Sequence, residues 1–547
     1  MIGITRQSGL MSLASDITVA ARHVGPEFTE LLAAAPQIDV LDDASRYGQP
    51  EEAQVSAASN FQPLTYHPLN QPYQFGTNAG TGEPRILKSI DWGGPSNIIP
   101  GGNTIKVYFA PKGQVVDGET SKGWTDYEKQ QVMIALEQYE HIINVDFVTT
   151  TNKADAYFKL ATTVFSGGLL GHCGPPGEPN EGEGVFGRNG PNWGSGGLEQ
   201  GGYSFITLIH EFGHGFGLAH PHDKGGGSLI MDGVTGPFDS FGSHDLNQGV
   251  FTMMSYNDGW KTVAGESPSY NYGYQGTPMA LDVAMLQMKY GANTTYHTGN
   301  DVYQLSGSNA PGTYYSCIWD AGGKDKIAYS GNKSCFIDLR PATIDYTDSG
   351  GGNFSVVYDG FGGLVFGGYS IAKGVKIENA TGGGGNDWVV GNSLKNQLLG
   401  GDGDDSIASG GGADVMVGGA GKNIFYFDVF DAKNVAQVKD FDEGNGAFID
   451  QVDLQYIDAN RNAAGVQKFT FADGPGGTYS GTAGEILLTV EDADTVKIHL
   501  DTNGDKVDDM TMLLNGYGGG EFIYFTPDSL AGGTGRYDGP VGYDLVI

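Results

Sequence analysis

The chain has 547 residues, too many for one compact core, so two or three domains are the starting expectation. Thirty Lys and Arg against 64 Asp and Glu leave a net charge of −34, which excludes nucleic acid and anionic membranes as natural partners and suits cations. No stretch approaches the ~20 apolar residues that span a bilayer, and three cysteines exclude a disulfide scaffold.

Residues 1–60 are mixed, with an Ala/Pro-rich break at "LLAAAPQ". Asp16 interrupts the apolar part of the N-terminus, so the segment reads as a leader or propeptide rather than a Sec signal. "NTIKVYFAP" alternates Ile105, Val107 and Phe109, which predicts a strand with one buried face. "TDYEKQQVMIALEQYEHI" places Thr125 and Glu128 at capping-box spacing and Val132, Leu136 and Tyr139 on one side, which predicts an amphipathic helix. "INVDFVTT" and "ADAYFKLATT" read as further strands. The order strand, helix, strand, strand predicts a mixed sheet with helices on it. Cys173, in "GHCGPPGEPNEGEG", reads as an unpaired loop thiol.

"SFITLIHEFGHGF" then carries Phe205, Leu208, Ile209, Phe212 and Phe216 at helical spacing. On that helix His210 and His214 are four apart and project from one face, so they can share one metal ion. Glu211 lies beside that ion without needing to bind it. The helix is expected to end at Gly217, whose freedom to take positive φ would let His220 swing back as a third ligand. Three neutral imidazoles suit Zn²⁺ with a water at the open position, and Glu211 is placed to take that water's proton. The plainer alternative is a set of packed or solvated histidines on an ordinary helix. Gly217 and His220, at their offsets, weigh against it.

His210–His220 matches H-E-x-x-H-x-x-G-x-x-H, the metzincin signature, and "FTMMSYND" supplies Met254 and Tyr256 where a Met-turn is required. Pro221 directly after the third histidine and the Ser-Tyr ending of that turn resemble the serralysin branch. "TPMALDVAMLQMKYGAN" is similar to the helix that closes the serralysin catalytic domain. The resemblance implies that Met254 forms an apolar floor beneath the zinc ligands. It also implies that Tyr256 is a displaceable further zinc ligand that swings away to stabilise an oxyanion. His222 and His244 are read as loop residues.

Beyond Asn293 the helical rhythm gives way to short β-type segments and glycine turns. From Gly382 the chain falls into nines: "GGGGNDWVV", "GNSLKNQLL", "GGDGDDSIA", "SGGGADVMV", "GGAGKNIFY". Position six reads Asp387, Asn396, Asp405, Asp414, Asn423, and position eight reads Val389, Leu398, Ile407, Met416, Phe425. This matches the RTX nonapeptide of calcium-binding parallel β-rolls, and a flexible glycine linker would not hold both positions so strictly. The expected calcium residues are Gly383, Gly385 and Asp387; Gly401, Gly403 and Asp405; and Gly410, Gly412 and Asp414, forming oxygen cages for a hard cation. Leu394 interrupts the second repeat. "WDAGGKDKIAYS" reads as an isolated earlier calcium turn at Asp320 and Asp325, whereas "DTNGDKVDD" reads as a plain acidic turn. Cys317 and Cys335 flank short strand-like segments and can pair if the chain is exported.

The expected fold class is an α+β metzincin catalytic domain followed by an all-β parallel β-roll. The expected division is leader or propeptide at 1–60, zinc protease domain at 61–295, RTX roll at 296–440, and a C-terminal β region with secretion signal at 441–547. The ending "GYDLVI" is like the uncleaved signal of type I secretion substrates. The resemblance implies a metalloendopeptidase zymogen with one catalytic Zn²⁺ and several structural Ca²⁺, secreted as a monomer from a Gram-negative cell. Protein and peptide substrates, the type I exporter and a periplasmic proteinaceous inhibitor are the implied partners; nucleic acid and membrane insertion are not. The alternative from another class is a calcium-binding surface or matrix protein with a vestigial protease domain.

Overall fold

Strand β1 (Thr104–Phe109) forms where the sequence alternates, with Ile105 and Val107 buried. The structure is a computed structural model, and it describes residues 84–93, 103–194, 196–441, 450–472, 477–516 and 544–546. The leader expected at 1–60 lies outside the described residues, as does the end of the chain apart from the strand Asp544–Val546. The described parts of Ala57–Val164 and Gly171–Ile547 fall in one compact unit.

A short hairpin, β2 (Val115–Val116) and β3 (Glu119–Thr120), leads into helix α1 (Asp126–Ile142). The capping box starts that helix: Thr125 Oγ1 accepts from the Glu128 N–H at 3.2 Å, and Glu128 Oε2 accepts from the Thr125 N–H at 2.6 Å. Val132, Leu136 and Tyr139 are fully buried along its inner side. Strands β4 (Asp146–Thr150), β5 (Phe158–Thr163), β6 (Gly171–Cys173) and β7 (Glu183–Gly187) complete a sheet in the order β4-β1-β5-β7-β6. All neighbours are parallel except β6, an antiparallel edge strand. Cys173 therefore lies buried on a strand and not in a loop.

Helix α2 (Tyr203–Gly215) packs its apolar side onto this sheet, and Phe205, Leu208, Ile209, Phe212 and Phe216 have no exposed surface. Each such side chain contributes about 1.5–3 kcal/mol by leaving water. Helix α3 (Ala280–Tyr290) follows, and no helix lies beyond it among the described residues.

From Val302 onward the described residues form β-strands, mostly parallel, as a C-terminal β-roll requires. Successive strands add at an 18-residue step: Trp388 pairs with Ser406 and Ser406 with Ile424 in one sheet, Asn379 with Gln397 and Gln397 with Val415 in the other. Eighteen residues are two nonapeptides, so alternate repeats feed alternate sheets. The position-eight residues Val389, Leu398, Ile407, Met416 and Phe425 have no exposed surface and form the interior. Cys317 and Cys335 are buried free thiols; they do not pair.

Candidate metal centre

Helix α2 ends where the sequence runs into Gly217. The Gly217 N–H bonds the His214 carbonyl and the Leu218 N–H bonds the Gly213 carbonyl, both at 2.8 Å, with Gly217 at φ +79°. This left-handed closure reverses the chain and returns His220 to the helix face that carries His210 and His214. His220 Nε2 lies 3.2 Å from His210 Nε2 and 2.9 Å from His214 Nε2.

The opposite ring nitrogens explain why these three face inward. His210 Nδ1 donates to the Met253 carbonyl at 2.8 Å, His214 Nδ1 to the Leu218 carbonyl at 2.9 Å, and His220 Nδ1 to Asp223 Oδ2 at 2.9 Å. Each acceptor requires the proton on Nδ1, leaving the Nε2 lone pair free. Three lone pairs converge within 4.8 Å of one another, with His220 at 3.2 and 2.9 Å from the other two, and they repel unless a cation lies among them, so the donor set fits a borderline divalent metal. Protonation does not relieve the crowding. Burial first, then the neighbouring imidazoles, holds His210 well below the usual histidine range, and burial with His220 pushes His214 down to about 3.

Glu211, between the two helix histidines, is buried, and burial raises its carboxyl to about 8 even though the Cys173 N–H donates to it. Strand β6 passes close above it: a Cβ on Gly171 would sit 3.0 Å from Glu211 Cγ. Tyr256 brings its hydroxyl to 3.1 Å from His220 Nε2, and burial raises its pKa. Met254 is fully buried under the cluster, and a Cβ on Gly213 would lie 2.7 Å from its sulfur. Asp282, on α3 and fully buried, ties down this turn by accepting from Thr252 Oγ1 (2.6 Å), the Met253 N–H (2.7 Å) and the Met279 N–H (2.9 Å).

Several participants were not expected. Asp223 orients His220 and is itself fixed by the Gly225 N–H at 2.8 Å; its place three residues after His220 was the available signal. Burial works against its charge, but the His220 and Gly225 bonds hold it down at about 2. His222 is more than a loop residue, because its ring stacks on His220 with centroids 4.9 Å apart and an 11° tilt. His244 lies away from the centre, paired with Asp348 at 2.7 Å.

In the roll, Gly383, Gly401 and their counterparts stack turn over turn: a Cβ on Gly401 would lie 2.1 Å from the Gly383 carbonyl oxygen, and one on Gly403 2.4 Å from that of Gly385. Gly410 and Gly412 both take positive φ, and a Cβ on Gly412 would lie 2.0 Å from the Leu394 carbonyl oxygen. Position-six side chains bond down the stack. Asp405 Oδ1 accepts from the Asp387 N–H and Asp414 Oδ1 from the Asn396 N–H, each at 2.8 Å. Asp405 Oδ2 is buried with no hydrogen-bond partner. Asp320 groups with His297 and Asp301, neither of them singled out in the sequence, within 4.8 Å. Asp325 is outside that group but adjoins it, accepting from the Asp301 N–H at 2.8 Å, and its Oδ2 is also buried without a partner. The 501–509 turn closes on itself, with Asp501 accepting from the Asn503, Gly504 and Lys506 N–H groups.

The fold thus comprises an α+β unit carrying three histidines that could hold a metal ion, followed by a parallel β-roll. Residues 285–520 match the family described as Peptidase M10 serralysin C terminal. The chain is 39% identical over 211 residues to "Serralysin" of Proteus mirabilis and 29% identical over 327 residues to "Serralysin C" of Dickeya chrysanthemi. It is 30% identical over 294 residues to "Metalloprotease AprA" of Pseudomonas entomophila (strain L48). These alignments cover 37%, 55% and 51% of this chain and span 38%, 61% and 56% of the relatives' own lengths. The chain is thus similar to serralysins over parts of its length, and it spans about half the length of the relatives it matches.

Proposed function

We propose that the chain is a secreted zinc-dependent endopeptidase of the metzincin type, stabilised by calcium in its roll. The observation that supports this best is the convergence of three Nδ1-protonated imidazoles beside a buried carboxylate. His210, His214 and His220 would hold a zinc ion, which would supply Lewis acidity and lower the pKa of a bound water to about 7. Glu211 takes the water's proton on its carboxylate and passes it to the leaving amine. A divalent charge bound beside Glu211 would favour its carboxylate form. The Tyr256 hydroxyl donates to the developing oxyanion. An extended substrate can pair with β6, the end strand of the sheet among the described residues, which lies over Glu211.

Calcium would be held by the stacked repeats at 383–414 and by the group near Asp320 and Asp325, where the orphaned Asp405 and Asp325 oxygens await a cation. The proposal includes a catalytic part at 61–295, a roll at 296–440, a C-terminal region at 441–547 and a propeptide at 1–60. It also includes the type I exporter and a periplasmic proteinaceous inhibitor as partners. No helix among the described residues is long and apolar enough to cross a membrane. A vestigial protease has no physical need to keep Glu211, and casein zymography with and without chelator separates it from a live one. The decisive test is Glu211→Ala. It should retain zinc, measured by elemental analysis, and lose proteolysis by orders of magnitude. Near wild-type activity in a zinc-loaded variant would refute the mechanism.

A further inference from the structure

Tyr256 does not stand alone beside the three histidines. His222 lies against one part of its ring, with centroids 4.6 Å apart and a 50° tilt, and Phe238 lies 5.6 Å away at 30°. The same His222 ring stacks on His220, itself 4.6 Å from Tyr256, so His220, His222 and Tyr256 are in mutual ring contact. The loop that carries Phe238 is pinned to the residue after Tyr256: the Asp239 N–H donates to Asn257 Oδ1 at 2.8 Å, and Asn257 Nδ2 donates to the Asn247 carbonyl at 2.9 Å. The residue after the tyrosine is therefore held by its side chain, while the tyrosine ring itself is confined mainly by rings.

His222 is held there in an unusual way. Its side chain is 9% exposed, its Nδ1 is buried with no hydrogen-bond partner, and its Nε2 stays 3.9 Å from Asp223 Oδ2, beyond hydrogen-bond reach. The contacts His222 makes with Tyr256 and His220 are through its ring, and His220, His222 and Asp223 also group closely enough to hold a metal ion.

We propose that His222 and Phe238 form an aromatic bracket that holds the Tyr256 hydroxyl at the His220 Nε2 and so sets how readily it leaves that position. Both are positioning residues. The inference rests on the reading of Tyr256 as a displaceable metal ligand. The bracket would decide the balance between the tyrosine on the metal and the tyrosine turned toward substrate.

The test uses the full chain loaded with Cu²⁺ in place of zinc, because a phenolate on Cu²⁺ gives a charge-transfer absorption that reports tyrosine ligation directly. His222→Ala and Phe238→Ala should each weaken that band about threefold to tenfold, the weight of one lost aromatic pair. Metal content should not change. In the zinc-loaded protein kcat should rise by up to a similar factor, because the tyrosine turned toward substrate is favoured, with KM within about twofold. His222→Phe should restore band and kcat, since a ring is retained and the nitrogens are not. An unchanged band in both alanine variants overturns the bracket. Metal loss in His222→Ala, or failure of His222→Phe to restore the band, overturns it as well and makes His222 a polar or metal-holding residue. Tyr256→Phe is the separate control. Persistence of the band there overturns the ligand reading of Tyr256 and the bracket with it.

Discussion

Gly215→Ala tests how closely the metal helix is fitted to the sheet. Gly215 follows His214 on α2 and faces β5 and β6. A Cβ there would lie 2.6 Å from Phe158 Cε1 and 3.1 Å from both Phe158 Cζ and Cys173 Sγ. Phe158 has no room to yield. It is fully buried, with ring neighbours Tyr157 at 4.9 Å, Phe212 at 5.3 Å, Phe216 at 5.7 Å and Phe147 at 6.3 Å. Restoring ordinary carbon contacts of about 3.5 Å requires helix and strand to part by roughly 1 Å. Alanine gains about 1 kcal/mol in helix propensity, whereas overpacking a closed core costs about 1–3 kcal/mol and here lies at the upper end. The expected outcome is a net destabilisation of about 1–2 kcal/mol. Because β6 also supplies the Cys173 N–H to Glu211, the same displacement should lower kcat by about tenfold or more. Calorimetry in saturating zinc and calcium reads the first effect, and hydrolysis of a fluorogenic peptide the second. A melting temperature equal to or above wild type, as an exposed helical Gly→Ala would give, refutes the reasoning.

Tyr256→Phe should lower kcat by about 10²-fold, the cost of one oxyanion donor, with little change in KM; a large KM rise at constant kcat would make Tyr256 a substrate-binding residue. Neutralising Asp405 and Asp414 together to Asn should raise the calcium needed to fold the roll, read by circular dichroism across a calcium titration of the full chain. Identical β-structure in chelator and in millimolar calcium would show that the roll is no calcium switch. Burial raises the Asp282 carboxyl from 3.8 to about 7, so the folded state keeps a proton that the unfolded chain releases near pH 4. The stability this confers is complete below about pH 4 and is lost as pH rises toward 7, by roughly 1–4 kcal/mol. Asp282→Asn should flatten that slope in melting temperatures taken between pH 4.5 and 7.5; an unaltered slope would mean that Asp282 does not titrate there.

The parts of the molecule legible in the sequence are those set within one helical turn or one repeat. The four-residue spacing of His210 and His214 places both rings on one face whatever surrounds them, and Thr125 with Glu128 starts α1 by local hydrogen bonds alone. The nonapeptide period sends Val389, Leu398, Ile407, Met416 and Phe425 inward because each repeat supplies one strand of a coil that closes every eighteen residues. Other features needed the path of the whole chain. Asp282 reaches the turn at Met253 from 29 residues away, the Cys173 N–H reaches Glu211 from another element, and Phe238 and His222 meet at Tyr256 from separate loops. His297 and Asp301 join Asp320 in the same manner. Backbone geometry fixes the direction of side chains a few residues apart, so their spacing is readable in one dimension. Contacts between distant segments depend on how sheet, helices and loops pack against one another, and only the tertiary structure decided those.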